Sequence, residues 1–277
     1  MLPSLVATRY LQPLREGGSL PAVVETDDGE LFVLKFRGAG QGAKALVAEL
    51  VVGLLARELE LPVPDLALVN LLPAFGRTEP DPEIQDLLRA SEGVNVGLRY
   101  LDGAFNFSLP AAGALVTESF ASRLVWLDAL LTNPDRTHRN PNLLVWQERV
   151  WLIDHGAALY AHHDWASVDS GRTRTRFPLI QDHVLLSLAG DIESADAELA
   201  PRLTSDVIAR VLRALPDALL VPDAPGLGEP QSASAARERY AAYLGERLTS
   251  PRAFVAEAVE ARDRLLRQPP IRRHARR

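Results

Sequence analysis

Along the 277-residue chain the apolar residues follow two regimes, short β-rich runs divided by turn signals before about residue 155 and runs at helical spacing after it. AVVET and ELFVLKF, split around Asp27-Asp28-Gly29, predict a strand, a tight turn and a second strand that ends on Lys35 and Phe36. From Ala43 the segment AKALVAELVVGLLARELE has helical length and good helix formers, with Gly38, Gly40 and Gly42 loosening its start and Gly53 leaving room for close packing. PVPDLALVNLL (62–72) and VNVGLRYLDGA (94–104) read as further strands, separated by a polar loop and a short helix, EIQDLLRA. Thr117 is suited to cap a helix in which Phe120, Leu124, Leu127 and Leu131 form a core-facing stripe. LLVW and VWLI, separated by Gln147-Glu148-Arg149, predict a hairpin. The first 14 residues read as a lead and 156–180 as a long aperiodic connection. QDHVLLSLAG, TSDVIARVLRAL, ASAARERYAAYLGERL and PRAFVAEAVEARDRLLR read as helices. This segregation predicts an α+β fold with a sheet-rich lobe and a helical lobe, the chain crossing between them near residue 104.

Composition narrows the function. A content of 47% hydrophobic residues supports a substantial core, and a net charge of −6 argues against a dedicated nucleic-acid binder. The basic tail 272–277 is read as a solvated end. No cysteine is present, which removes disulfides, thiolate metal sites and thiol nucleophiles. No run approaches bilayer-spanning length and no signal peptide is legible, so a cytoplasmic location is expected.

Candidate chemistry appears where charge interrupts apolar sequence. Glu49 is the only charged residue between Ala45 and Ala56, and an ionised carboxylate in that setting calls for a cationic partner. Lys35, the only basic residue in ELFVLKF, is the nearest candidate, although a lysine at a strand end also snorkels to solvent. A second group lies in TNPDRTHRNPNLLVWQERVWLIDHG (132–156). There the hairpin returns Asp154 beside the loop holding Asp135, Asn140 and Asn142, an oxygen-rich site for a hard cation such as Mg²⁺. With the turn Gly17-Gly18-Ser19 ahead of them, the order of a lysine, a glutamate, an aspartate, an asparagine five residues on and a second aspartate fits phosphoryl transfer. That chemistry rests on positioning and charge neutralisation.

Lys35, Glu49, NPDRTHRN and VWLIDHG together resemble the HipA-like branch of the protein-kinase-like superfamily and, more distantly, the phosphatidylinositol kinases. The resemblance spans roughly residues 15–190. It implies a two-lobed protein-kinase-like fold divided into 1–104 and 105–277, with ATP and Mg²⁺ as nucleotide and metal. It implies Asp135 as the base or substrate positioner, Asn140 and Asp154 as Mg²⁺ ligands, and Lys35, fixed by Glu49, on the nucleotide phosphates. Gly17, Gly18 and Ser19 stand where a kinase glycine loop stands, in shortened form. Asn140 fits the spacing from Asp135, whereas Asn142 fits the position before an apolar strand; Asn140 is favoured. His155 occupies the place of a phenylalanine common in protein kinases. The length leaves no room for the additional amino-terminal domain of full HipA toxins, so no toxin role is implied. The acceptor is expected to be a hydroxyl, on a protein serine or threonine in preference to a small molecule.

Three rival readings remain. Gly38-Ala39-Gly40-Gln41-Gly42-Ala43 fits the dinucleotide fingerprint G-x-G-x-x-A, with Glu58 and Glu60 near the ribose-binding distance, but the strand-helix alternation of a doubly wound sheet does not continue. A pseudokinase that binds nucleotide without turnover keeps the same fold. A zinc site is disfavoured because the six histidines lack ligand spacing, His162-His163-Asp164 reading as loop surface.

Overall fold

In the computed structural model, residues 2–14, 20–40, 42–77, 79–221 and 228–267 are described; Gly17, Gly18, Ser19 and the basic tail lie outside them. Strands β1 (Ser4–Pro13), β2 (Ala22–Thr26), β3 (Leu31–Lys35), β4 (Leu66–Leu71) and β5 (Gly93–Arg99) close into a barrel in the order β1-β2-β3-β5-β4. Every neighbouring pair is antiparallel except β1 with β4, which run parallel through Ser4–Leu68, Leu5–Val69 and Val6–Asn70. Period-two alternation sorts the strand side chains. Val24, Phe32, Leu34, Ala67 and Val69 fill the barrel, while Leu66, Val96 and Leu98 face outward into a larger core.

That larger core receives α1 (Ala43–Glu58), the predicted first helix. It has no polar face because it is covered on all sides, by the barrel and by α7 (Ser205–Arg213) and α8 (Asp217–Leu220). The room expected at Gly53 is real: a Cβ there would stand 2.8 Å from Leu66 Cδ1. Helix α2 (Pro82–Ala90) packs Leu88 into the barrel core.

Beyond the barrel, β6 (Phe105–Asn106), β7 (Leu143–Trp146) and β8 (Arg149–Leu152) form a three-stranded sheet containing the predicted hairpin. After the short α3 (Leu109–Ala112) comes α4 (Glu118–Leu130), capped as expected by Thr117 Oγ1, which accepts from Phe120 N at 3.1 Å. Helix α4 is the axis of the helical part, touching α6 (Ile192–Leu199) and α10 (Ala253–Arg267). Trp126 is wholly buried, edge-on to Phe254 at 5.9 Å. The short α5 (Ser170–Thr173) and α9 (Ala233–Leu248) complete the helices.

Four segments differ from the sequence expectation. The supposed lead is strand β1. Only Ala7 of its ten residues is buried, and two register shifts against β2 scramble the alternation that marks a strand. Helix α6 was not expected. Its stripe is three residues wide, Ile192, Ala195 and Leu199, although Asp191 caps Ser194 N at 2.9 Å. QDHVLLSLAG (181–190) begins inside a 3-10 turn at 178–182 and holds a second at 186–188; His183 Nδ1 takes the Leu185 amide that an α-helix would use. The 156–180 connection is built of a 3-10 segment at 160–167 and α5. As for the dinucleotide fingerprint, β3 is flanked by antiparallel β2 and β5, so no parallel β-α-β unit forms around residues 38–43.

Candidate active site

Lys35 closes β3 and Glu49 stands mid-way along α1, fully buried. The helix passes across the strand end, and Lys35 Nζ meets Glu49 Oε2 at 2.8 Å, the pairing that the apolar surroundings of Glu49 required. Asp154, two residues past β8 and held at φ 54°, brings Oδ1 to 2.5 Å from the same ammonium. Glu49 Oε2 also accepts from the His155 amide at 2.7 Å, whereas its Oε1 is buried with no hydrogen-bond partner. Burial pulls the Lys35 pKa down, but Glu49 and Asp154 outweigh it and hold the amine above its ordinary value. For Asp154 burial acts upward, and Lys35 reverses it to a net lowering. The cluster is therefore one buried cation between two carboxylates, one of which keeps 42% of its side chain exposed.

The loop after α4 carries the rest. Asp135 N donates to Asn133 Oδ1 at 3.1 Å, and Asp135 Oδ2 accepts from Asn140 Nδ2 at 2.8 Å and Asn142 Nδ2 at 3.0 Å. Both asparagines therefore converge on one carboxylate oxygen, with their own Oδ1 atoms left as acceptors. Asn142 is also tied to the hairpin base, its carbonyl accepting from Ile153 N at 3.1 Å, beside Asp154.

Beneath the loop lies a polar network that the sequence reading missed. Arg136, fully buried, donates from Nε to Asp128 Oδ2 at 2.6 Å, from Nη1 to the Asn142 carbonyl, and from Nη2 to His155 Nδ1 at 3.1 Å. Asp128 on α4 also accepts from Asn133 Nδ2 at 3.0 Å and lies 3.1 Å from His183 Nε2. Since His183 Nδ1 accepts the Leu185 amide, its ring proton sits on Nε2 and points at Asp128. A signal was present: Asp128 is the only charge between Leu124 and Leu131, the same kind of isolated carboxylate that exposed Glu49. Burial would raise the Asp128 pKa, but Arg136 and His183 drive it far below the carboxylate range.

His155 joins the two halves. Its main chain holds Glu49 and its ring receives Arg136, a use that a phenylalanine could not supply. Burial pushes its pKa down to about 4, with Glu49 opposing, and also lowers His183 despite Asp128. A histidine kept neutral in the fold takes up a proton near pH 6.5 once unfolded, so stability is complete above that pH and declines as pH falls towards 4. Between pH 7 and pH 5, His155 alone is expected to cost roughly 2 kcal/mol of unfolding free energy. Urea midpoints measured at the two pH values check this, and equal midpoints would refute it.

A cavity of ≈ 880 Å³ opens beside the site, lined by Asn140, Asn142 and Asp154 on its polar side and by Phe107, Leu143 and Ile153 among its apolar residues. Lys35 and Asp135 flank it without lining it. Other sequence candidates are used elsewhere. His162 is fully buried and hydrogen-bonds Tyr240 Oη at 2.9 Å, which corrects its reading as loop surface. In the 156–180 connection the arginines are engaged within the chain as well, Arg172 with Asp164, Arg174 with the Thr249 carbonyl and Arg176 with Glu257 and Glu260. Among the described residues no three His, Cys, Asp or Glu side chains gather as a metal site, and no helix is long and apolar enough to cross a membrane.

Comparison with solved structures shows a shared fold. The Helicobacter pylori proinflammatory kinase CtkA shares the fold, with a TM-score of 0.58 at 13% identity over 97% of this chain and 100% of that one. The Neurospora crassa PAN3 pseudokinase gives a TM-score of 0.32 at 14% identity, over 96% of this chain and 68% of that one. The HipA-like kinase family model matches residues 8–170, and the chain belongs to that family. Comparison with curated protein sequences returned no match.

Proposed function

We propose that this chain is an ATP- and Mg²⁺-dependent phosphotransferase that moves the γ-phosphoryl group to a hydroxyl, with protein serine or threonine the favoured acceptor. In this reading the barrel part, 1–104, and the helical part, 105–277, are the two lobes of a protein-kinase-like fold with the cleft between them. The observation that carries it is the continuous chain from Lys35 through Glu49, His155 and Arg136 to the Asp135 loop, which couples a phosphate-binding cation to a positioned carboxylate.

The residues fit a magnesium ion shared with a nucleotide. Asp154 and the Oδ1 atoms of Asn140 and Asn142 are hard oxygen donors along one cavity wall, too few to cage a cation alone, as suits an ion that keeps substrate oxygens as ligands. Asn142, bonded to Ile153, is the nearer of the two to Asp154 along the hairpin register. When bound, the ion neutralises charge on the phosphates. Lys35 would contact the phosphates, held in place by Glu49. Asp135, oriented by its two amide donors, would accept the proton of the attacking hydroxyl as the new P–O bond forms, the β–γ bridging bond breaks and ADP leaves. Phe107, Leu143 and Ile153 offer an apolar surface for the base.

Titrating ATP into the parent and into Asp154→Ala, with and without Mg²⁺, tests the reading. The parent is expected to bind in a Mg²⁺-dependent manner, and the variant to lose at least about tenfold in affinity with that dependence removed. Equal Mg²⁺-dependent affinity in both would refute the metal assignment. Nucleotide binding with no transfer to any hydroxyl acceptor would favour the pseudokinase reading.

A further inference from the structure

Arg247, in the last turn of α9, is 2% exposed, and among the described residues no carboxylate pairs with it. Its guanidinium is spent on backbone carbonyls. Nε donates to Leu130 O at 2.5 Å and Nη2 to Ala129 O at 2.8 Å; Nη1 donates to Thr173 O at 2.7 Å and to Thr175 O at 3.4 Å. The Tyr243 and Phe254 rings pack against it, with its Cζ 6.0 Å and 5.2 Å from their centroids. Burying a guanidinium without a counter-ion is costly, so four carbonyl partners and two rings imply a requirement that an apolar residue would not meet.

The carbonyls involved show what that requirement is. A helix ends with unsatisfied carbonyls, and those of α4 can be followed one by one. Leu127 O takes the Leu131 amide, Asp128 O takes the Asn133 amide, and Leu131 O, just past the helix, takes the Leu159 amide. Ala129 O and Leu130 O are served by Arg247. From this end the chain runs through Thr132, at φ 51°, to Asp135. The other two carbonyls belong to the 173–175 segment. Thr175 and Pro134 both line a cavity of ≈ 380 Å³, as does Thr132, whose buried Oγ1 has no partner. One planar side chain thus ties the end of α4, which leads to the Asp135 loop, to the 173–175 segment, from a helix outside the family-matched residues 8–170.

We propose that Arg247 is a positioning residue that sets the Asp135 loop against the 173–175 segment on the acceptor side of the site. This rests on the kinase reading for the word acceptor but not for the coupling itself. Hydrogen–deuterium exchange of the full chain therefore tests it without turnover, comparing the parent with Arg247→Lys and Arg247→Met well below their melting midpoints. Leu212→Ala, on α7 and away from the loop, serves as a control of lowered stability. Exchange is expected to rise about tenfold or more within 131–137 and 173–177 in both Arg247 variants, with β2, β3 and α1 unchanged, and to show no such local rise in the control. Unchanged exchange in the two segments, or a uniform rise matching the control, overturns the proposal. In a transfer assay the turnover number should fall while the KM for ATP holds; a change confined to the KM for ATP would also overturn it. Absence of transfer in the parent would count against the kinase reading alone, since the exchange pattern stands independently.

Discussion

Asp135→Ala is expected to reduce phosphoryl transfer by about 10²–10⁴-fold while nucleotide affinity stays near that of the parent. The split follows from the geometry. Asp135 lies outside the lining of the large cavity and makes no ion pair with Lys35, whereas Asn140 and Asn142 both donate to its Oδ2, orienting the carboxylate. In the proposed reading its removal deletes the proton acceptor without touching the Lys35–Glu49–Asp154 cluster. Asp135→Asn is the sharper variant because it preserves shape and lacks a basic carboxylate. Rates measured under saturating ATP decide the matter, and an Asp135→Asn enzyme at parental rate would remove the residue from the chemistry.

The second large effect concerns stability. Arg136→Met is expected to destabilise the protein by about 3–5 kcal/mol, seen as a lower denaturant midpoint with little change in slope. The substitution strips Asp128, fully buried, of its cation, leaves His155 Nδ1 without its donor and leaves the Asn142 carbonyl with the Ile153 amide alone. Part of the loss is the burden of an orphaned charge, so adding Asp128→Asn should restore stability to Arg136→Met. A double-mutant cycle measures this coupling, and strict additivity would show that the two side chains act independently.

How far the sequence reveals the site depended on how each residue announces itself. Lys35 and Glu49 were legible because a charge within an apolar run demands a partner, and the 2.8 Å contact supplies it. Asp154 was placed by hairpin geometry, which local pattern encodes. Asp128 carried the same kind of signal as Glu49 but lay outside the stripe of Phe120, Leu124, Leu127 and Leu131 by which α4 was recognised. His183 and Arg247 gave no local signal. Their partners lie 55 residues away for His183 and up to 118 for Arg247, and only the tertiary fold brings them together. The amino-terminal strand was missed for a different reason, because its bulges erase the alternation by which strands are recognised.

That same strand has a further bearing on association. An open sheet exposes main-chain donors and acceptors at its rims, and another polypeptide can be recruited there by adding a strand. By running parallel to β4 while pairing antiparallel with β2, β1 removes both rims from the barrel at once. Among the described residues each barrel strand is therefore paired on both sides, the closing seam running through Ser4–Leu68, Leu5–Val69 and Val6–Asn70. An open rim for strand addition remains in the small sheet of β6, β7 and β8, on the cavity side of the molecule.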